Sequence, residues 1–411
     1  MTTAERATWG ACAGLLAFIG SFAWDRWGPA PARDGEAPET AHAAALAVER
    51  EPLAWVEAWF AKDLPPMGPA PAAWTPLEAD LDPAACGACH VQQYLDWKES
   101  WHALAMGPGT MGQLVAWDGE DDEMVAKCQR CHAPLAEQHP ASPAFVPALR
   151  DDGLTCAGCH VRAWTRHGPP KDGPPMDGAP HGGFVAREEF RDGRFCEACH
   201  DFETDKSSLY GKKVQETWLE WRASRYAAKG VTCQDCHMPE GRHTWKGVHD
   251  PETVRRGLRA EARFDGLAGE VRVTNVGAGH RLPTYSTPEI VVYVDQLDAA
   301  GRPLGATRRV GVIGRRLSVD AKTEVFDTRL LPDETYTLRY DVPAAKGAVA
   351  VRARVECWPD EAYRRFYEHK LADPDWNPDG RAQIEQALLA SIASRFVVWE
   401  ETLAVAGVAR D

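Results

Sequence analysis

Ten of the twelve cysteines in this 411-residue chain fall into five copies of Cys-x-x-Cys-His. The copies are Cys86-Gly-Ala-Cys89-His90, Cys128-Gln-Arg-Cys131-His132, Cys156-Ala-Gly-Cys159-His160, Cys196-Glu-Ala-Cys199-His200 and Cys233-Gln-Asp-Cys236-His237. Two thiols at this spacing can both add to the vinyl groups of one haem, and the next residue then offers an imidazole to its iron. Disulfides and thioredoxin-like redox sites need the paired cysteines but have no use for a histidine after every pair. Zinc sites would combine the motifs two by two, and five is odd. The pattern therefore predicts five covalently bound haem c groups, with His90, His132, His160, His200 and His237 as proximal iron ligands.

Nine histidines remain for the opposite axial positions: His42, His102, His139, His167, His181, His243, His249, His280 and His369. Five of these would ligate every haem twice, so no haem is forced to stay open. His102 lies in VQQYLDWKESWHALAM, which has no Gly or Pro and reads as one helix from Val91 to Met106. Along such a helix His90 and His102 are roughly 18 Å apart, so His102 is expected on a neighbouring haem. His243 and His249 lie in GRHTWKGVHD, just past the fifth motif. His280 stands in GAGHRLP, where glycines allow a backbone to approach a flat cofactor and Pro283 stiffens the exit. His181, in PHGGF, and His139 complete the expected distal ligands. His42 and His369 lie in polar helical stretches and are expected in solvent. Met106 and Met111 are expected to fill gaps rather than to act as axial thioethers.

The motif starts are not evenly spaced, which excludes a repeat solenoid. All five lie between Cys86 and His237, too short a segment for five separate packed pockets. The porphyrins must therefore pack on one another and form much of the core. Close packing is what electron hopping requires, and the protein tunes each potential through axial ligands, burial and hydrogen bonds.

The elements around these residues suggest an α+β multidomain chain. Residues 1–24 contain the uncharged run Ala7–Trp24, with Trp9 and Trp24 at its ends, and read as a membrane anchor or a signal segment. Residues 25–81 are an Ala/Pro-rich helical linker with Trp55 and Trp59 on one helix face. Residues 82–250 form the pentahaem domain, mostly short helices and loops, with a helix over Val214–Lys229. Residues 251–411 show period-two alternation at Tyr336–Val342 and Val349–Cys357, and a further strand at Ile290–Val294. They predict an antiparallel β-sandwich of about seven strands, with Cys357 a buried free thiol, a helix over Arg381–Ser394 and a last strand at Phe396–Leu403.

Lys and Arg number 46 against 60 Asp and Glu, a net charge of −14. That excludes nucleic acid as a partner, because phosphate binding needs a basic surface. Only the N-terminal run is apolar enough for a bilayer, so a multi-span membrane protein is excluded.

The stretch CGACHVQQYLDWKESWHALAM resembles the multihaem cytochrome family typified by the tetrahaem electron acceptor of hydroxylamine oxidoreductase. In that family the first haem motif is followed by a Trp, a Ser and a distal His, which Trp97, Ser100 and His102 match. FCEACHDF, ETWLEWRAS, GVTCQDCHMP and RHTWKGVHD look like segments of other bacterial multihaem cytochromes. NVGAGHRLPT is similar to a loop in cytochromes with a β-domain behind the haems. The resemblance spans residues 82–285 and implies an electron relay. The fifth motif and the β-domain depart from the tetrahaem pattern. Pentahaem nitrite reductases share the haem count, but their catalytic motif carries Lys where all five motifs here end in His.

The expected function is an exported, membrane-anchored pentahaem cytochrome on the periplasmic side of the bacterial inner membrane. It would relay electrons between redox protein partners or within a respiratory complex. The alternative is an enzyme that reduces or oxidises a small nitrogen or sulfur compound at an open haem.

Overall fold

The computed structural model describes residues 54–61, 64–117, 122–172, 178–202, 208–209 and 212–404. The expected anchor, Cys12, His42 and most of the 25–81 linker lie outside the described residues. Among the described residues no helix is long and apolar enough to cross a membrane. The described residues all belong to one compact unit, which mixes α-helices with antiparallel sheets.

Between residues 54 and 250 the described residues form short helices and five strands of two to four residues, joined by loops. Helix Ala54–Trp59 stacks Trp55 on Trp59, with ring centres 4.4 Å apart. Trp59 Nε1 donates to the Cys159 carbonyl, and the Arg162 guanidinium donates to the Trp59 carbonyl. These bonds fix the segment against the third motif.

Two expected helices are shorter than their sequences suggest. Val91–Lys98 is helical, but the helix stops at Glu99 and resumes only as a 3₁₀ turn at Ala103–Met106. Ser100 Oγ donates to the Trp97 carbonyl at 2.6 Å, and Trp97 Nε1 donates to Leu154 O at 2.7 Å. Serine here competes with the helix for a backbone carbonyl, and the tryptophan is tied to a distant segment. Val214–Lys229 is likewise two helices, Thr217–Arg222 and Arg225–Ala228. Ser224 stands between them and caps the second through the Tyr226 N–H.

After helix Pro251–Gly257 come eight strands: β1 Leu258–Asp265, β2 Ala268–Asn275, β3 Glu289–Leu297, β4 Arg309–Leu317, β5 Glu324–Asp327, β6 Thr335–Tyr340, β7 Ala350–Trp358 and β8 Phe396–Ala404. They make one five-stranded sheet, β5-β4-β3-β7-β8, and one three-stranded sheet, β6-β2-β1. β1 and β2 are joined by a two-residue loop, with Gly266 first at φ +61°, where a II′ hairpin favours glycine. One apolar core draws on both sheets: Val271, Val273, Leu338 and Tyr340 from one, Ile290, Val292, Val355 and Cys357 from the other. Cys357 is fully buried, and burial pushes its thiol pKa well up.

The last helices do not join this core. Glu361–Ala372 and Arg381–Ala393 form a hairpin against helix Pro108–Trp117. Tyr367, Ile384 and Ala387 form a separate cluster there. A Cβ on Gly109 would lie 3.5 Å from the Ala387 methyl, and one on Gly112 2.9 Å from Ile384. The C-terminal part thus packs directly onto the cysteine-rich part.

Candidate functional site

Four motifs sit on helical turns, and in the first the helix Pro83–Gly87 ends before Cys89 and His90, which follow in a turn closed by the His90 N–H to the Cys86 carbonyl at 2.9 Å. Cys156–His160 and Cys233–His237 are complete five-residue helices, and the second and fourth motifs end the helices Asp122–His132 and Arg194–His200. Residues three and four apart share a helix face, so both thiols and the imidazole of a motif point the same way. Three of the starts are capped by side chains. Asp82 accepts from the Ala84 N–H, Thr155 from the Gly158 N–H, and Thr232 pairs with Asp235 in a capping box.

All ten motif cysteines and all five motif histidines line one cavity of about 3920 Å³. That is several times the roughly 300–1,000 Å³ of a single-ligand pocket. Sulfurs of different motifs meet inside it. Cys86 is hydrogen-bonded to Cys156, Cys131 to Cys199, and Cys196 to Cys233. The motifs are therefore joined first to third, second to fourth and fourth to fifth.

Four motif histidines face a second histidine across this cavity. Ring centres lie 6.5 Å apart for His90 and His181, and 6.2 Å for His160 and His243. For His200 with His102, and for His237 with His280, they lie 6.3 Å apart. That separation leaves room for one metal atom with a nitrogen about 2 Å away on each side. Burial is the main cause that lowers the pKa of His102 to about 3 and of His160 and His200 to about 4. It also lowers His90, His132, His237, His243 and His280. Neutral imidazole is the form that binds metal.

The facing histidines are held by specific contacts. Glu78 Oε1 accepts from the His181 N–H at 2.8 Å, in a turn where His181 has φ +48°. Asp96 accepts from the His243 N–H at 3.0 Å and binds the Arg242 guanidinium at 2.6 Å. That guanidinium holds the Asp96 carboxyl well below its usual range. The carbonyl of His102 accepts from the Leu154 N–H at 2.9 Å, and Gly153 lies so close that a Cβ there would be 2.3 Å from that oxygen. The carbonyl of His280 accepts from Asn275 Nδ2 at 3.0 Å. Gly277 beside it serves protein packing, since a Cβ would sit 2.3 Å from Arg256 O. The expectation that the glycines of this loop make room for a cofactor is corrected at that position.

Two expected ligands are placed elsewhere. His139 does not line the cavity. The 3₁₀ turn Ala136–Gln138 aims its Nε2 at Ala133 O, 2.7 Å away. His249 does line the cavity, but its ring stacks on Trp101 at 3.7 Å and its Nε2 meets Asp360 Oδ1 at 2.9 Å. Among the described residues no histidine ring faces His132 as the other four motif histidines are faced. Tyr363 lines the cavity near Cys128, close enough for their charges to interact. His167 gives its carbonyl to His160 Nδ1 at 2.7 Å, and its ring packs edge-on against Trp59. Met106 and Met111 belong to an apolar cluster with Leu114 and Ala133.

The residues present fit haem c, because thiol pairs, neutral facing imidazoles and a multi-ligand apolar cavity coincide. Among the described residues no group of three or more His, Cys, Asp or Glu side chains is arranged to hold a metal ion by itself. Sequence reasoning missed Tyr285, whose oxygen lies 2.5 Å from His200 Nδ1. Its only signal was its position five residues after His280.

Residues 85–161 match the family described as cytochrome c554 and c-prime. A search of curated proteins finds no match. Among solved structures the fold is similar to that of a penta-heme cytochrome c552 from Thermochromatium tepidum. The TM-score is 0.55 with 21% identity, over 80% of this chain and 100% of that one. The family match takes in the first three motifs, and the solved structure shares the fold.

Proposed function

We propose that this chain carries five covalent haem c groups and relays electrons between redox proteins on the periplasmic side of the bacterial inner membrane. The observation that carries the reading is the set of four facing histidine pairs around one cavity. The haems would be held by the ten motif cysteines and by His90, His132, His160, His200 and His237. The sixth ligands would be His181, His102, His243 and His280, which leaves the His132 haem without a histidine opposite. The close sulfur pairs would place the first haem beside the third, and the fourth beside the second and the fifth, while a longer-range interaction of Cys159 with Cys199 brings the third towards the fourth. Haems bound by two imidazoles have no free position for substrate, and that suits a carrier. Haem attachment outside the cytoplasm and the uncharged run Ala7–Trp24 favour an exported, anchored chain, acting with redox proteins or within a respiratory complex. Because the fifth motif and the two sheets depart from the tetrahaem pattern, the partners are proposed only as a class.

The test is mass spectrometry of the purified protein together with electron paramagnetic resonance. Five haems on the ten motif cysteines and at least four low-spin irons are expected. Fewer than five haems overturns the reading.

The His132 position favours a second reading, an enzyme that acts on a small nitrogen or sulfur compound. His249 and Asp360, a hydrogen-bonded pair, line the same cavity. Turnover of hydroxylamine, nitrite or sulfite by the reduced or oxidised protein would support it. Ligand binding without turnover leaves the relay.

A further inference from the structure

His200 differs from three other motif histidines in what its second nitrogen meets. His132, His160 and His237 each direct Nδ1 at a main-chain carbonyl, those of Ala105, His167 and Lys246. His200 Nδ1 instead meets the phenol oxygen of Tyr285 at 2.5 Å. Tyr285 comes from the loop between β2 and β3 that also carries His280. Thr217 stands close enough to this hydroxyl to lower a pKa that burial raises. Thr217 Oγ1 lies 2.8 Å from Thr284 Oγ1, and Thr284 Oγ1 donates to Glu220 Oε2 at 2.6 Å.

The direction of this chain follows from counting hydrogens. A carboxylate only accepts, and each hydroxyl has one hydrogen to give. Thr284 gives its hydrogen to Glu220, so Thr217 must give its own to Thr284. That leaves the Thr217 oxygen to accept from the Tyr285 hydroxyl. The Tyr285 oxygen is left to accept from His200 Nδ1–H. Every link points from the imidazole towards Glu220. The carboxylate is fully buried and anchored by Arg329 Nη1 at 2.8 Å and by the Arg281 N–H at 3.2 Å.

We propose that Tyr285, Thr217 and Thr284 connect Glu220 to the His200 imidazole and so lower the potential of the haem it binds. A carboxylate behind a ligating histidine makes the imidazole a better electron donor, which favours the oxidised metal. Here the carboxylate acts through three hydroxyls, each polarising the next. Tyr285 is a positioning residue in this scheme and touches no iron. The inference rests on the proposal that His200 ligates a haem.

The test is spectroelectrochemistry of the haem-loaded protein. Tyr285→Phe keeps the ring and removes the acceptor. We expect one of five redox transitions to rise, by about tenfold in its oxidised-to-reduced ratio. For a one-electron couple that is about 59 mV. Thr284→Val should move the same transition in the same direction. The double variant should shift it no further than Tyr285→Phe alone, as links in series require. Fully loaded variants with all five transitions unmoved overturn the inference and leave the haem reading intact. A native chain with no haem on Cys196 and Cys199 overturns both.

Discussion

The ring centres of His237 and His280 lie 6.3 Å apart with their planes only 15° from parallel. One belongs to the fifth motif and the other to the loop that leaves the β1–β2 hairpin. The loop is fastened beside the pair by Glu220, which accepts from the Arg281 N–H and from Thr284 and pairs with the buried Arg329. A motif helix and a sheet loop therefore build one site together, and neither part completes it alone.

His280→Ala should open that site. The backbone of the loop is held independently, through Asn275 Nδ2 to the His280 carbonyl and the Leu282–Leu330 pairing. One haem of five should change from low to high spin and bind cyanide or carbon monoxide, seen by electronic absorption. A folded, fully loaded variant with an unchanged spectrum would show that His280 is no ligand.

Glu78 gives a pH dependence. Hydrogen bonds from the His181 N–H and from Thr75 push its carboxyl down to about 2. The unfolded value is about 4.3, so the folded value is depressed. Its support for the His181 turn is therefore complete above about 4.3 and is lost as pH falls through about 2. The His90 haem should stay low-spin down to that range, then change spin. Glu78→Gln should remove the pH dependence of that change. Circular dichroism separates it from global unfolding, and a spin change that titrates identically in the variant would rule Glu78 out.

Gly153→Ala should destabilise the fold. Gly153 has φ +67°, and its Cβ would lie 2.3 Å from the His102 carbonyl and 2.7 Å from that of Ala103. A non-glycine residue in such a conformation costs about 1–3 kcal/mol before any clash. Thermal unfolding should show a loss of at least that size, with increased high-spin character at the His200 haem. Wild-type stability would mean that the 153–154 segment does not hold His102.

Much of the site was legible because its chemistry is local. A motif is five consecutive residues, and His280 stood out by its glycines. Which histidine faces which motif was not legible, because those contacts join distant residues such as Asp96 and His243. Local spacing also misread Val91–Met106 as one helix. Its break depends on Trp97 reaching Leu154, a contact with no mark in the sequence around residue 97. Strands β6 and β7 were readable by alternation and β3 and β8 from their apolar runs, whereas β1 and β4 carry arginines and glutamate that blur any pattern. Nothing in the sequence around His139 shows that the turn before it directs its ring to Ala133.

The last prediction concerns His249, which the sequence presents as a ligand and the structure holds in another role. Its Nε2, the nitrogen that would have to reach an iron, lies 2.9 Å from Asp360 Oδ1, and its ring lies flat on Trp101. To ligate the His132 haem it would have to give up both contacts. His249→Ala should therefore leave the number of low-spin haems unchanged, and the wild-type protein should already bind carbon monoxide at one reduced haem of five. Asp360→Asn tests the same geometry from the other side. An amide can still hydrogen-bond the ring nitrogen, so the variant should keep His249 off the iron and create no new low-spin centre. If His249→Ala instead converts a low-spin iron to high spin, His249 does ligate, all five haems are closed by histidine pairs, and the protein can only be a carrier.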